Sequence, residues 1–115
     1  MGRLSTHVLD TAHGCPATGM RFALFRDDEP AAVVSGQTNA DGRCDGPLLE
    51  GATLLPGKYM LRFDVADYFR SRGVALPDPP FLDVVTLDFG IADANAHYHV
   101  PLLVSPWSYS TYRGS

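Results

Sequence analysis

The sequence predicts an all-β fold, a two-sheet antiparallel sandwich of about eight strands with one short helix. Three observations carry this reading. Alternation of apolar and polar residues recurs along nearly the whole chain, which is the period-two signature of strands with one buried face. Turn signals built from Gly, Pro, Asn and Asp interrupt these runs roughly every ten residues. One segment alone carries a helix cap and a helix stop. The 115 residues form a single domain, 1–115, long enough to bury about two-thirds of its unfolded surface without staples.

Residues 4–10 form the first strand, ended by Gly14, Pro16 and Gly19. In residues 20–26, Met20, Phe22 and Leu24 alternate with Arg21, Ala23 and Phe25. Residues 33–38 form a third strand, closed by the Asn39-Ala40-Asp41-Gly42 turn, and Arg43-Cys44 a very short fourth. After Pro56-Gly57, Tyr59, Leu61, Phe63 and Val65 point inward and Lys58, Met60, Arg62 and Asp64 outward. Asp67 caps a short helix that stops near Gly73. Three prolines, Pro77, Pro79 and Pro80, impose an extended stretch. Val85, Leu87 and Phe89 then point inward from residues 83–90.

The last nineteen residues are the most informative. Two strands flank a Ser105-Pro106-Trp107 turn. Tyr98, Val100, Leu102 and Val104 share the core face of the first. His97, His99, Pro101 and Leu103 share the other face, where a solvent-facing strand would carry Lys, Glu or Thr. Two imidazoles beside a Pro and a Leu read as the floor of a semi-apolar pocket. In the second strand Ser108, Ser110 and Tyr112 share one face, and Tyr109, Thr111 and Arg113 the other.

Among candidate chemical groups, His99 stands out because the opposite face of its strand is already core. His7 lies mid-strand and suits a general base or a substrate ligand. His97 shares the face of His99, nearer a pocket mouth. His13, in a Gly/Pro turn, reads as solvated. Arg43 follows a tight turn, and its guanidinium fork can grip an imide or carboxylate if that turn overhangs a pocket. Arg113 can do the same, or pair with the terminal carboxylate of Ser115 or with an Asp. His7, His97 and His99 as a three-His zinc set is weakly supported by spacing, so no metal and no cofactor is expected. Nine Lys and Arg against thirteen Asp and Glu, a net charge of -4, leave no basic stripe for nucleic acid. Two isolated thiols, Cys15 and Cys44, read as reduced and favour an intracellular compartment. No leader-like apolar region precedes the first strand and no run is long enough to span a membrane, so a cytoplasmic location is expected.

Three segments together resemble one family, the 5-hydroxyisourate hydrolases, also called transthyretin-like proteins. Residues 4–14 (LSTHVLDTAHG) are similar to the family's Thr-His-Val-Leu-Asp start. Residues 38–43 (TNADGR) resemble its Thr-x-x-Asp-Gly-Arg turn. Residues 98–115 resemble its His-Val-Pro-Leu-Leu-x-Ser-Pro stretch and its Tyr-Arg-Gly-Ser ending. Pro79-Pro80-Phe81 and the Pro-Gly-x-Tyr before the long strand also fit. The ending is the most specific element, because the hormone carrier transthyretin shares the fold and lacks it. Trp107 departs from the family's usual Tyr or Phe.

The resemblance implies a transthyretin-like sandwich assembled as a homotetramer, a dimer of dimers with active sites in a channel. It implies hydrolytic ring opening of 5-hydroxyisourate to 2-oxo-4-hydroxy-4-carboxy-5-ureidoimidazoline in urate catabolism, without a metal. Carried over to this sequence, His7, Arg43 and His99 are catalytic. The Tyr112-Arg113-Gly114-Ser115 tail joins them, with Tyr112, Arg113 and Ser115 touching substrate beside Pro101, Leu103 and Ser110. The rival readings are a transthyretin-type carrier of a small aromatic ligand without catalysis, a structural β-sandwich adaptor, and a zinc hydrolase.

Overall fold

The computed structural model describes residues 1–114; Ser115, named above as a substrate contact, lies outside the described residues. The strands are β1 (Arg3–Asp10), β2 (Cys15–Pro16), β3 (Arg21–Arg26), β4 (Val34–Gln37), β5 (Leu49–Glu50), β6 (Gly57–Asp64), β7 (Val84–Ile91), β8 (His97–Val104) and β9 (Tyr109–Thr111). A 3-10 turn (Gly51–Thr53) follows β5, and the helix α1 (Val65–Ser71) follows β6. One sheet has the order β2-β1-β8-β9, with β5 also on β1, and the other the order β4-β3-β6-β7. The expected two-sheet sandwich with one short helix is present.

Alternation sorts the side chains as the sequence predicts. Leu4 and Val8 of β1 and Tyr98, Val100, Leu102 and Val104 of β8 face Phe22 and Leu24 of β3, Leu61 and Phe63 of β6, and Val85 and Leu87 of β7. Each such side chain, fully buried, contributes roughly 1.5–3 kcal/mol relative to exposure. Thr6, a polar residue on the core face of β1, donates its hydroxyl to the Val100 carbonyl at 2.7 Å and so is buried without an unmet hydrogen bond.

Four details differ from the sequence expectation. The sheets are not wholly antiparallel: β1 and β8 pair in parallel, Leu4 opposite Tyr98 and Val8 opposite Leu102. Residues 11–96 lie between these strands and supply the long crossover that a parallel pair requires. Second, residues 43–44 do not form a strand. The outer edge of β1 is filled piecewise instead, by Leu49–Glu50 at its start, by a single Arg43 bridge at His7, and by Cys15–Pro16 at its end. Third, the helix begins earlier than an Asp67 cap would put it. Val65 is its first residue, and the free amides of Val65 and Ala66 both donate to the Asp83 carbonyl at 3.0 Å.

Fourth, His13 is not simply solvated. The carboxylate of Asp10, 1% exposed at the end of β1, accepts the Tyr68 hydroxyl at 2.8 Å, the His13 amide at 2.9 Å and the His13 ring Nδ1 at 2.6 Å. Burial alone would raise this carboxyl. The hydrogen bonds from Tyr68 and His13 outweigh it and hold Asp10 below the usual carboxylate value. Burial and the adjacent carboxylate push the Tyr68 phenol well above its ordinary range. This knot ties α1, which belongs to the β6–β7 connection, to the first strand of the other sheet.

Because Asp10 titrates lower folded than unfolded, its stabilisation is fully present above the unfolded carboxylate value near pH 4 and is lost as pH falls through the lower, folded value. Tyr68→Phe is expected to cost about 1.5–3 kcal/mol in urea unfolding at pH 7, the scale of a hydrogen bond to a charged group. The difference from the parent should narrow below about pH 4, as Asp10 takes up its proton.

Candidate active site

The parallel ladder brings the candidate residues together. It sets Ser5 opposite His99 and His7 opposite Pro101, and Leu9 opposite Leu103. These six side chains share the face of the sheet turned away from the core. The His7 and His99 rings lie 6.5 Å apart, centroid to centroid, tilted by 39°. Arg43 reaches the same face through its backbone bridge to His7.

The Arg43 turn is built locally. The Asn39 side-chain oxygen accepts the amides of Asp41 and Arg43, and the Asn39 amide donates to the Arg43 carbonyl at 2.7 Å. Gly42 has φ +75, and a Cβ there would meet the Val8 carbonyl oxygen at 2.3 Å. Only glycine lets the turn press against β1, where the Val8 amide donates to the Gly42 carbonyl at 2.7 Å. The turn also supplies the Asp41 carbonyl, which accepts Nε2–H of His7 at 2.9 Å. No carboxylate among the described residues is in ion-pair distance of Arg43, so its fork is available to a ligand.

His99 is half-buried. Its Nδ1 lies 2.8 Å from the Ser5 hydroxyl. Burial first, and then the charges of Arg43 and His7, move its pKa below the ordinary histidine value, so the imidazole is neutral at pH 7. A cleft of about 320 Å³ opens here, lined by Arg3, Ser5, Arg43, His97, Tyr98 and His99. His97 sits at its mouth, opposite Arg3. Among the described residues, no three His, Cys, Asp or Glu side chains converge closely enough to hold a metal ion, and His97 does not complete a set with His7 and His99.

The tail is split between two faces. Ser110 pairs with Leu103, and Gly114 with His99, its amide donating to the His99 carbonyl at 2.7 Å. Tyr112, 60% exposed, falls between these pairings at the rim of the sheet. Pro101 is buried and Leu103 half-buried on the histidine face. Arg113 is not brought to that face. Its guanidinium stacks over the Tyr98 ring at 4.1 Å and donates to the His97 carbonyl at 3.2 Å. The structure thus gives Arg113 a protein partner, and that contact holds the tail along β8. Gly114 has a reason of its own: a Cβ there would lie 3.0 Å from Cδ2 and 3.2 Å from Cβ of His99.

Sequence reasoning did not single out Ser5. Its signal was available, two residues before His7 on the same face of β1, but its partner could be named only with the parallel pairing known.

Residues 4–114 match the HIUase/Transthyretin family. The chain belongs to that family. A 5-hydroxyisourate hydrolase of Ralstonia nicotianae is 62% identical over the full length of both chains. Among solved structures, an (S)-allantoin synthase superposes with a TM-score of 0.94 at 50% identity. The match covers 99% of this chain and 44% of the synthase, so the domain spans less than half of that longer protein. Sea bream transthyretin in complex with thyroxine superposes with a TM-score of 0.85 at 27% identity, covering 97% of this chain and 94% of the transthyretin. The HIUase/Transthyretin family therefore includes relatives named for hydrolysis and one solved with a bound ligand, on one sandwich.

Gly114→Ala is expected to lift the tail from β8. Hydrogen exchange at residue 114 should quicken at least about tenfold while the melting temperature moves by only a few degrees, because local opening leaves the core intact. Arg113→Ala should do the same by removing the stack on Tyr98.

Proposed function

We propose that the protein hydrolyses 5-hydroxyisourate, opening its six-membered ring at a carbonyl–nitrogen bond to yield 2-oxo-4-hydroxy-4-carboxy-5-ureidoimidazoline in urate catabolism. The observation that carries this reading is the convergence on one sheet face of two imidazoles and the Arg43 guanidinium, which has no carboxylate partner among the described residues. The full-length relationship to a protein named for this reaction supports it.

The chemistry follows from the groups present. Neutral His99 takes a proton from a water held between the imidazoles, and the hydroxide adds to the ring carbonyl carbon. Arg43 faces the oxyanion that develops there and stabilises it in a site partly shielded from water. The carbon–nitrogen bond then breaks, the proton on His99 passes to the departing ring nitrogen, and a carboxylate remains. His7, anchored on Asp41, orients the water or the substrate edge. Pro101 and Leu103 provide apolar walls, and Tyr112, Ser110 and Ser115 complete the pocket's rim.

The proposed assembly is a dimer of dimers, and the distribution of exposed apolar groups supports it. Phe81, Val84, Trp107, Tyr109 and Tyr112 are all exposed and lie on or beside β7 and β9, the unpaired edges on one side of the sandwich. Phe81 and Trp107, 70% and 58% exposed, pack against each other at 6.2 Å. Patches of this kind mark interfaces. No helix among the described residues is long and apolar enough to cross a membrane. A cytoplasmic location is proposed with the two unpaired thiols, Cys15 and Cys44, in its support.

The test is the ultraviolet decay of freshly generated 5-hydroxyisourate with and without protein. Strong acceleration that survives EDTA is expected. His99→Ala and Arg43→Ala should each lose at least about 100-fold in kcat/KM with the fold retained. The parent rate should fall only as pH drops below the ordinary histidine value of about 6.5, because the lowered pKa keeps His99 unprotonated above it. Folded protein without turnover would favour the ligand-carrier reading, and near-parental activity in either variant would remove that residue from the mechanism.

A further inference from the structure

Among the described residues, Ser5 is the one side chain hydrogen-bonded to the His99 ring, and the proposed reaction leaves it without a role. We propose that Ser5 is a positioning residue: its Oγ accepts Nδ1–H of His99, fixing the tautomer in which Nε2 is bare and takes the proton from water. This inference rests on the hydrolytic reading of the site and refines it.

The His99 ring is confined on two sides. Ser5 Oγ stands 2.8 Å from Nδ1. The Gly114 backbone packs against the Cδ2 edge so closely that a methyl group there would sit 3.0 Å from Cδ2. Among the described residues Nδ1 has no second hydrogen-bond partner and Nε2 has none at all. His99 lines the open cleft together with Ser5 and Arg43. The Ser5 hydroxyl can accept Nδ1–H or donate to a bare Nδ1; the proposed form is the one in which it accepts, because that form leaves the Nε2 lone pair free for water.

His7 shows the contrast. Its Nε2 meets the Asp41 carbonyl, which can only accept, so the proton of neutral His7 is on Nε2 and its lone pair on Nδ1. The two imidazoles, on one face, thus present opposite nitrogens. At His99 the alternative tautomer would leave the lone pair against Ser5, beyond the reach of water, and would turn Nε2–H into a fixed donor. His99 could then hold substrate but not activate water.

A hydroxyl suits this position better than a carboxylate. It keeps Nδ1–H hydrogen-bonded before and after Nε2 takes up its proton, yet adds no negative charge to pull His99 into the imidazolium form at neutral pH. In the cycle, water gives one proton to Nε2, the hydroxide joins the carbonyl carbon, the carbon–nitrogen bond breaks, and the Nε2 proton goes to the ring nitrogen. Ser5 neither gains nor loses a proton.

Two measurements decide the matter. In protein carrying nitrogen-15 histidine, at a pH above the histidine titration, the His99 ring is expected to show a protonated Nδ1 and a bare Nε2. In Ser5→Ala that preference should disappear. Its kcat should fall roughly 3- to 10-fold, the scale of one neutral hydrogen bond, with KM little changed. The acid limb of its pH profile should move to lower pH, because the imidazolium loses its acceptor. Ser5→Thr should restore both. A proton on Nε2 in the parent overturns the proposal, as does a Ser5→Ala enzyme with unchanged kcat and acid limb. If Ser5→Ala does not fold, the parent spectrum decides alone. If the parent does not hydrolyse 5-hydroxyisourate, the hydrolytic reading fails, while the spectrum still reports whether Ser5 sets the tautomer.

Discussion

The parallel ladder between β1 and β8 is the contact on which the rest of the structure depends. It joins the two ends of the chain, and its register, with Ser5 opposite His99 and His7 opposite Pro101, decides two things together. On the inner face it sets Leu4 and Val8 beside Tyr98 and Leu102 against the core. On the outer face it sets two imidazoles side by side. A slip of one residue would send His7 into the core and Val8 into the cleft, so the burial of this sheet's apolar face also specifies the spacing of the site. The site needs no separate scaffold, because the energy that holds the core holds the histidines.

Around this ladder the remaining parts act as stops. The free edge of β1 is closed by three short segments rather than one strand, and the gap left between β5 and β2 is where the Asn39–Gly42 turn presses in and delivers Arg43. A full strand along that edge would have left no place for the turn. The Asp10–Tyr68–His13 knot fixes the far end of β1 against the helix. The tail fixes the outer edge of β8 through the Arg113 stack on Tyr98 and the Gly114 pairing at His99.

Much of this was legible in the sequence, and what escaped has a physical reason. The two faces of β8 followed from strict alternation, as did the assignment of Arg113 to the opposite face from Tyr112. The Arg43 turn was legible from its Asn, Asp and Gly. The parallel pairing was not, because alternation specifies faces and not neighbours, and Ser5 could not be connected to His99 without it. Val65 continued the alternation of β6, yet its amide found the Asp83 carbonyl, a partner far along the chain. His13 looked solvated because its partner, Asp10, is an unremarkable residue at a strand end until burial makes a hydrogen-bonded partner necessary.

The central claim is that the outward face of the β1–β8 ladder is where an oxidised purine is bound and opened. The most direct test is a crystal structure of the protein with urate, which has the intact bicyclic ring. The account predicts urate on this face, within hydrogen-bond distance of Arg43 and His99. Urate bound instead in the opening between the sheets, of about 360 Å³ and bordered by Leu87, Phe89, Tyr98 and Val100, with the histidine face empty, would contradict it.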